Sequence, residues 1–311
     1  MGALRDGYAA LVCDLDGVVY RGPAAVPHAI DALSAGTEPV HFATNNASRL
    51  PAEVAGHLVS LGLAVSAGDV STSAEAGAWE LSRLIATGAT VLAVGGPGVA
   101  AAAESEGFVV SRTATSDVAA VLQGYGRGVQ AADLAEAAYA IQGGAIWIAT
   151  NTDLTLPTDR GVAPGNGSLI GAVRLAAGRD PDLVAGKPYP PLYRLCLERM
   201  AVSPGDALAV GDRLDTDIEG ANSVGIDSLL VLTGVNDLRD VLLAPPHRRP
   251  TWVAPDLRWL SRPADDPVLM DLRRTLEWGW AHQDGGPVDD GWLTQTVTRL
   301  HDLVASTATV E

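Results

Sequence analysis

The stretch LVCDLDGVVY, residues 11–20, ends an apolar run in two carboxylates one residue apart, Asp14 and Asp16. Acids paired at the end of a buried run repel each other, and one takes up a proton unless a cation lies between them. Three other runs end in polar clusters: HFATNNASRL carries Thr44, Asn45 and Asn46, VAGKPYPPLY carries Lys187, and LAVGDRLDTDIEGA carries Asp212, Asp215 and Asp217. Carboxylates with a backbone carbonyl make a hard oxygen site suited to Mg²⁺. A threonine hydroxyl, N–H groups at a helix start and one lysine make an anion site. The two together suit a phosphate bridged by Mg²⁺. A carboxylate can then attack phosphorus, since a covalent intermediate divides one hard displacement into two easier ones. A second acid two residues on can protonate the leaving oxygen and later deprotonate the attacking water.

Each cluster alone has a plainer reading. Thr44–Asn46 can cap a helix, the lysine can sit in a turn before an N-terminal proline, and an acidic loop can simply be solvated. Convergence requires that the clusters share one sheet. The strand candidates are 9–13, 40–43, 91–94, 118–122, 146–149, 207–210 and 228–232. Helical patterns lie between them, as over 52–61, 131–142 and 190–200. Such alternation implies a doubly wound parallel sheet with right-handed crossovers, and sites on these sheets lie at the carboxyl ends of strands.

Composition narrows the function classes. The chain has 311 residues, is 47% hydrophobic and carries a formal net charge of −16. That is ample for a core, and the charge, without a basic tract, argues against a nucleic-acid partner held through phosphate contacts. Lys187 is the only lysine, among basic residues that are otherwise arginine. Cys13 and Cys196 form neither a metal-ligand spacing nor a disulfide framework, which fits a reducing, cytoplasmic compartment. No signal peptide is evident, and no apolar run is long enough to span a membrane, so no membrane partner is expected.

The motifs DLDGVVY, TNN, GKP and GDRLDTDI, in this order, resemble the four motifs of the haloacid dehalogenase superfamily. They are most similar to its phosphatases with a large α/β cap, which act on phosphoglycolate, glycerol phosphate, pyridoxal phosphate or nitrophenyl phosphate. The resemblance covers roughly residues 8–260. It implies that Asp14 is the nucleophile and a Mg²⁺ ligand. Asp16 would be the general acid/base and lend its backbone carbonyl to the metal. Thr44, Asn45 and Asn46 would hold phosphate oxygens, and Lys187 would neutralise the phosphate and the nucleophile. Asp212 would bind the metal and Asp217 support that shell, with Asp215 left to a loop role. Dehalogenases lack the second acid, so Asp16 argues against that activity, and ion-pumping relatives need membrane helices.

About 140 residues separate Asn46 from Lys187, far more than a crossover uses, and they alternate β and α elements of their own. The expected architecture is α/β: a doubly wound parallel-sheet core (1–74 and 179–260), an inserted α/β cap (75–178) and a helical C-terminal extension (261–311). Mutases of the common type carry a small helical cap after the first motif, and Gly17 to Thr44 is too short for one. VGGPGVAAAAESEG reads as strand, turn and helix of the cap, since it lacks the dinucleotide-binding glycine spacing. The polar loop 150–169 either lines the cleft or is only a long turn, and Trp147 reads as cap core. In the extension, Val268, Leu269, Leu272, Leu276 and Trp280 form one helical stripe and Leu293, Val297, Leu300 and Val304 another, broken by DGGPVDDG. The stripes either pack on the core or form a partner surface, and a homodimer through cap or extension is compatible with both. The expected function is a Mg²⁺-dependent phosphomonoester hydrolase acting through an aspartyl-phosphate on a small phosphometabolite. Glycerol 3-phosphate and 2-phosphoglycolate rank first, then nucleoside monophosphates and pyridoxal phosphate. A non-catalytic phospholigand-binding or interaction protein is the alternative of another class.

Overall fold

Ala10–Cys13 is buried along its whole length, because it pairs in parallel with Ala207–Gly211 on one side and Val40–Thr44 on the other. Strands covered on both edges and both faces are what continuous apolar runs encode. Asp227–Val231 and then Trp252–Ala254 extend the sheet beyond Ala207–Gly211, again in parallel. The computed structural model describes residues 2–158, 160–286 and 289–305. The chain divides into two units, residues 1–42, 58–64 and 197–311 in the first and residues 43–57 and 65–196 in the second.

In the first unit, a two-stranded hairpin (Tyr20–Arg21 with Ala24–Ala25) and the short helix Ala29–Ser34 follow Gly17. In the second unit a five-stranded parallel sheet runs in the order Leu183–Val184, Ile146–Ala149, Val118–Gln123, Thr90–Val94, Val109–Ser111. Trp147 is fully buried there among Leu92, Val121, Ile141 and Ile170, a core residue as its apolar surroundings in the sequence imply. The glycine-rich stretch forms the strand Thr90–Val94 and the helix Pro97–Ser105. Its glycines serve close packing: a Cβ on Gly96 or Gly98 would collide with the backbone of Ser48 or Arg49. The polar loop 150–169 folds into an antiparallel hairpin, Thr155–Thr158 with Gly161–Pro164, leading into the helix Asn166–Ala177.

The expected strands all form, with ends moved by a residue. Asp227, rather than Ser228, begins its strand because its backbone pairs with Leu208. The expected helices form as Pro51–Ser60, Ala131–Gln142 and Pro190–Met200. Val70–Thr72, Val109–Ser111 and Leu183–Val184 were not anticipated, being too short to show a periodicity. The extension forms the helices Pro267–Asp284 and Asp290–Ala305. Asp266 starts the first by accepting from the N–H groups of Val268 (2.9 Å) and Leu269 (3.3 Å). The stripes bury Leu272, Leu276, Leu293 and Leu300 against Leu238, Val241 and Leu242, so they pack on the first unit's own core. Pro287 and Val288 of the break, residues 306–311, Met1 and Asp159 lie outside the described residues. Among the described residues, no helix is long and apolar enough to cross a membrane.

Candidate active site

The register Cys13↔Val210 sets the ends of the two central strands side by side. Asp14 follows the first strand, with its N–H donating to the carbonyl of Val210 at 2.8 Å. Asp212 follows the second, buried, with Oδ2 accepting from the N–H of Val235 at 2.8 Å. After Arg213 the chain winds into a π-helical turn, Leu214–Ile218. Such turns recur at functional sites, and here the wider turn carries Asp217 back toward its own strand. The Arg213 N–H donates to Asp217 Oδ2 at 3.1 Å. Carboxylate oxygens of Asp14, Asp212 and Asp217 all lie within 4.8 Å of one another. Three carboxylates at this spacing repel one another, and a cation between them relieves that repulsion. An all-oxygen donor set suits a hard ion such as Mg²⁺ over thiolate-seeking metals, so these residues fit the ion that the sequence implies.

Asp16 is exposed, while Leu15 between the two acids is buried, so the alternation of an extended chain turns Asp14 and Asp16 away from the core. Gly17 has a positive φ of 86°, and a Cβ there would strike the Asp212 carboxylate. A Cβ on Gly234 would do the same. Thr233 Oγ1 donates to the Gly17 carbonyl at 2.7 Å, and Asn236 Oδ1 accepts from Leu214 N–H at 2.8 Å. These loop residues were missed in the sequence; the signal was the polar cluster TGVND after the strand Asp227–Val231. Asp215 takes two hydrogen bonds from Arg213, at 3.0 and 2.9 Å. Partial burial pushes its pKa up, but the hydrogen bonds and charge of Arg213 outweigh this and hold it below the ordinary carboxylate value.

In the second unit, Thr44 ends the strand Val40–Thr44 and is buried, its Oγ1 accepting from the Asn46 N–H at 3.1 Å. Asn46 Oδ1 accepts from the N–H (3.0 Å) and Oγ (2.8 Å) of Ser48. The next helix begins only at Pro51, so neither asparagine caps it. The Asn45 side chain accepts from Lys187 N–H at 2.8 Å and donates to the Lys187 carbonyl at 2.9 Å. Lys187 is buried, its Nζ donates to the Ala43 carbonyl at 3.1 Å, and its peptide bond to Pro188 is cis. The structure thus joins Asn45 to Lys187 across a long stretch of sequence, and it commits the Asn45 amide and the Asn46 amide oxygen to protein partners. A cavity of about 680 Å³ in this unit, bounded by Thr152, Leu154, Arg174, Tyr189 and Arg194 among others, includes none of the predicted site residues.

A family model described as haloacid dehalogenase-like hydrolase matches residues 11–109, and a second, HAD-hydrolase-like, matches residues 184–260. The chain is 47% identical over 306 residues to the D-glycerol 3-phosphate phosphatase of Mycobacterium tuberculosis, covering 97% of this chain and 82% of that protein. It is 35% identical over 237 residues to an acid sugar phosphatase of Staphylococcus saprophyticus, covering 75% of this chain and 90% of that one. The crystal structure of a glycerol phosphate phosphatase from Mycobacterium tuberculosis in complex with magnesium superposes with a TM-score of 0.82 at 45% identity. That superposition covers 86% of this chain and 80% of the other.

Proposed function

The chain belongs to the haloacid dehalogenase-like hydrolases and is a phosphatase, and from this we propose that it hydrolyses a small phosphomonoester, glycerol 3-phosphate first, by way of a phosphorylated Asp14. The observation that carries the reading is the carboxylate cluster of Asp14, Asp212 and Asp217 beside an exposed Asp16. Asp14 attacks phosphorus and the bond from phosphorus to the alcohol oxygen breaks, while Asp16 gives that oxygen a proton. Asp16 then takes a proton from the water that attacks the same phosphorus, releasing inorganic phosphate and restoring Asp14. Asp14, Asp212 and the backbone carbonyl of Asp16 would hold Mg²⁺, with Asp217 supporting them. When bound, the ion supplies positive charge to the phosphoryl oxygens as the bonds exchange. We assign Thr44, Asn45, Asn46 and Lys187 to the phosphate oxygens. The Asn45 amide is engaged by the Lys187 backbone and Asn46 Oδ1 by Ser48, which leaves the Asn46 amide nitrogen as the donor of that side chain.

The substrate ranking is supported by the 47% identity to a D-glycerol 3-phosphate phosphatase, a match whose span takes in the C-terminal extension. We propose that residues 75–178 form a cap that selects the alcohol. Two buried cysteines outside any disulfide support a cytoplasmic location, and the proposal extends to a homodimer through the cap or the extension. The test is phosphate release from glycerol 3-phosphate, 2-phosphoglycolate, nucleoside monophosphates and pyridoxal phosphate, with Mg²⁺ and with EDTA. Glycerol 3-phosphate should give the highest kcat/KM, and EDTA should abolish turnover. A nucleotide preferred by about tenfold, equal to about 1.4 kcal/mol of transition-state binding, would overturn the ranking. No release from any ester, with ligand-induced stabilisation instead, would favour a phospholigand-binding protein.

A further inference from the structure

Asn45 is held from two sides. Its amide brackets Lys187, accepting from the backbone N–H at 2.8 Å and donating to the carbonyl at 2.9 Å. Its own backbone carbonyl receives two side-chain hydrogen bonds. One comes from Ser73 Oγ at 2.7 Å, at the start of the helix Ser73–Ser82. The other comes from Asn151 Nδ2 at 2.8 Å, just beyond the strand Ile146–Ala149. Ser73 is fully buried and Asn151 nearly so. Asn151 is itself fixed, since its Oδ1 accepts from Asp153 N–H at 3.2 Å and its carbonyl accepts from the Asn166 amide at 2.8 Å. A Cβ on Gly186 would fall 2.6 Å from Asn45 Oδ1, so the chain before Lys187 is shaped to admit this amide.

We infer that Ser73 and Asn151 are positioning residues for Lys187, acting through Asn45. A lysine is a compact charge on a flexible stem, and its ammonium is placed only as well as its backbone is anchored. Lys187 Nζ returns to the Ala43 carbonyl at 3.1 Å, so residues 43–45 and 187 close a ring that these two side chains tie to a helix and a sheet. A misplacement of about 1 Å in a charge that meets the reacting group costs on the order of 10²-fold in rate. The inference rests on the proposed role of Lys187 in holding phosphate.

Ser73→Ala removes the donor alone, and Asn151→Ala removes the donor together with the acceptor of the Asp153 N–H; neither adds charge. Each should lower kcat/KM for nitrophenyl phosphate by about two- to tenfold, the range of one buried hydrogen bond. The inhibition constant for inorganic phosphate should rise in step, and the Mg²⁺ activation constant should stay at the wild-type value. In a Lys187→Ala background, neither substitution should weaken phosphate binding further when calorimetry completes the double-mutant cycle. Unchanged kcat/KM and phosphate inhibition, even with a lowered Tm, would reduce both residues to structural staples, as would full additivity with Lys187→Ala. If one variant does not fold, the other carries the test through the same carbonyl. Wild-type turnover and phosphate affinity in Lys187→Ala alone would overturn the role of the lysine, and this inference with it. Loss in Lys187→Ala with none in the two donors would overturn the positioning role only.

Discussion

Gly211 and Asp217 approach so closely that a Cβ on Gly211 would lie within the Asp217 side chain. Gly211 ends the strand that delivers Asp212, and the π-helical turn folds Asp217 back over it. Gly211→Ala therefore pushes Asp217 out of the carboxylate cluster without replacing any acid. The Mg²⁺ activation constant should rise and kcat/KM should fall by about tenfold or more, since residues that orient metal ligands typically contribute this much. Titration of activity with Mg²⁺ measures both. A wild-type activation constant would show that Asp217 is not tied to the ion.

Metal removal should expose the repulsion within the cluster. Asp14, Asp212 and Asp217 bring carboxylate oxygens within 4.8 Å of one another, so deleting one charge relieves the metal-free protein. Asp14→Asn should raise Tm in EDTA relative to wild type and shrink the stabilisation gained from Mg²⁺. The same variant should lose turnover on every ester while keeping its circular dichroism spectrum. Hydrolysis of nitrophenyl phosphate near the wild-type rate would remove Asp14 as nucleophile.

Much of this site was legible because buried strands must be apolar and their carboxyl ends need not be. Asp14 and Asp212 stand out as acids closing apolar runs, and the register that makes them neighbours follows from strand adjacency. The clasp between Asn45 and Lys187 was illegible, because an amide that reads a distant backbone leaves no local pattern. Ser73 and Asn151 were hidden for the same reason. Gly211 and Gly234 look like ordinary turn glycines until the carboxylates they accommodate are in view. The short strands Val70–Thr72 and Leu183–Val184 exist through their neighbours rather than their own composition.

The C-terminal stripes predict a stability effect. Leu276 is buried among Leu238, Val241 and Leu242, and Trp280 Nε1 donates to the Val241 carbonyl at 2.9 Å. Leu276→Ala should destabilise the first unit by about 2–5 kcal/mol, the usual cost of such a cavity. Denaturant unfolding followed by tryptophan fluorescence measures it. A change under about 0.5 kcal/mol, the scale of an ordinary surface substitution, would show that the stripe adds no core.

Alkaline stability should depend on Tyr8. Its hydroxyl donates to Asp227 Oδ2 at 2.9 Å and accepts from Trp252 Nε1 at 3.0 Å. Burial pushes its pKa up from 10.0 to about 12, with Asp227 adding to the rise and the Trp252 indole opposing it. The folded state thus keeps a proton that the unfolded chain has already released. The resulting stabilisation is complete below pH 10.0 and is lost as pH rises toward about 12. The Tm advantage of wild type over Tyr8→Phe should therefore narrow across that window. A gap that stays constant with pH would mean that the phenol titrates alike in both states.

Asp16 separates hydrolysis from mere phosphorylation of the enzyme. It is exposed beside the half-buried Asp14, within reach of solvent for proton exchange. Asp16→Asn keeps the shape and the backbone carbonyl but cannot carry a proton in either direction. Turnover of an alkyl ester such as glycerol 3-phosphate should fall by on the order of 10²–10⁴, with Mg²⁺ binding largely kept. An aryl ester has a better leaving group and needs less protonation, so phosphorylation of Asp14 should stay faster there. Breakdown of the aspartyl-phosphate would still lack its base. Stopped-flow release of nitrophenol should then show a burst of up to one equivalent, followed by slow steady turnover. Wild-type rates on the alkyl ester would mean that another group supplies the proton.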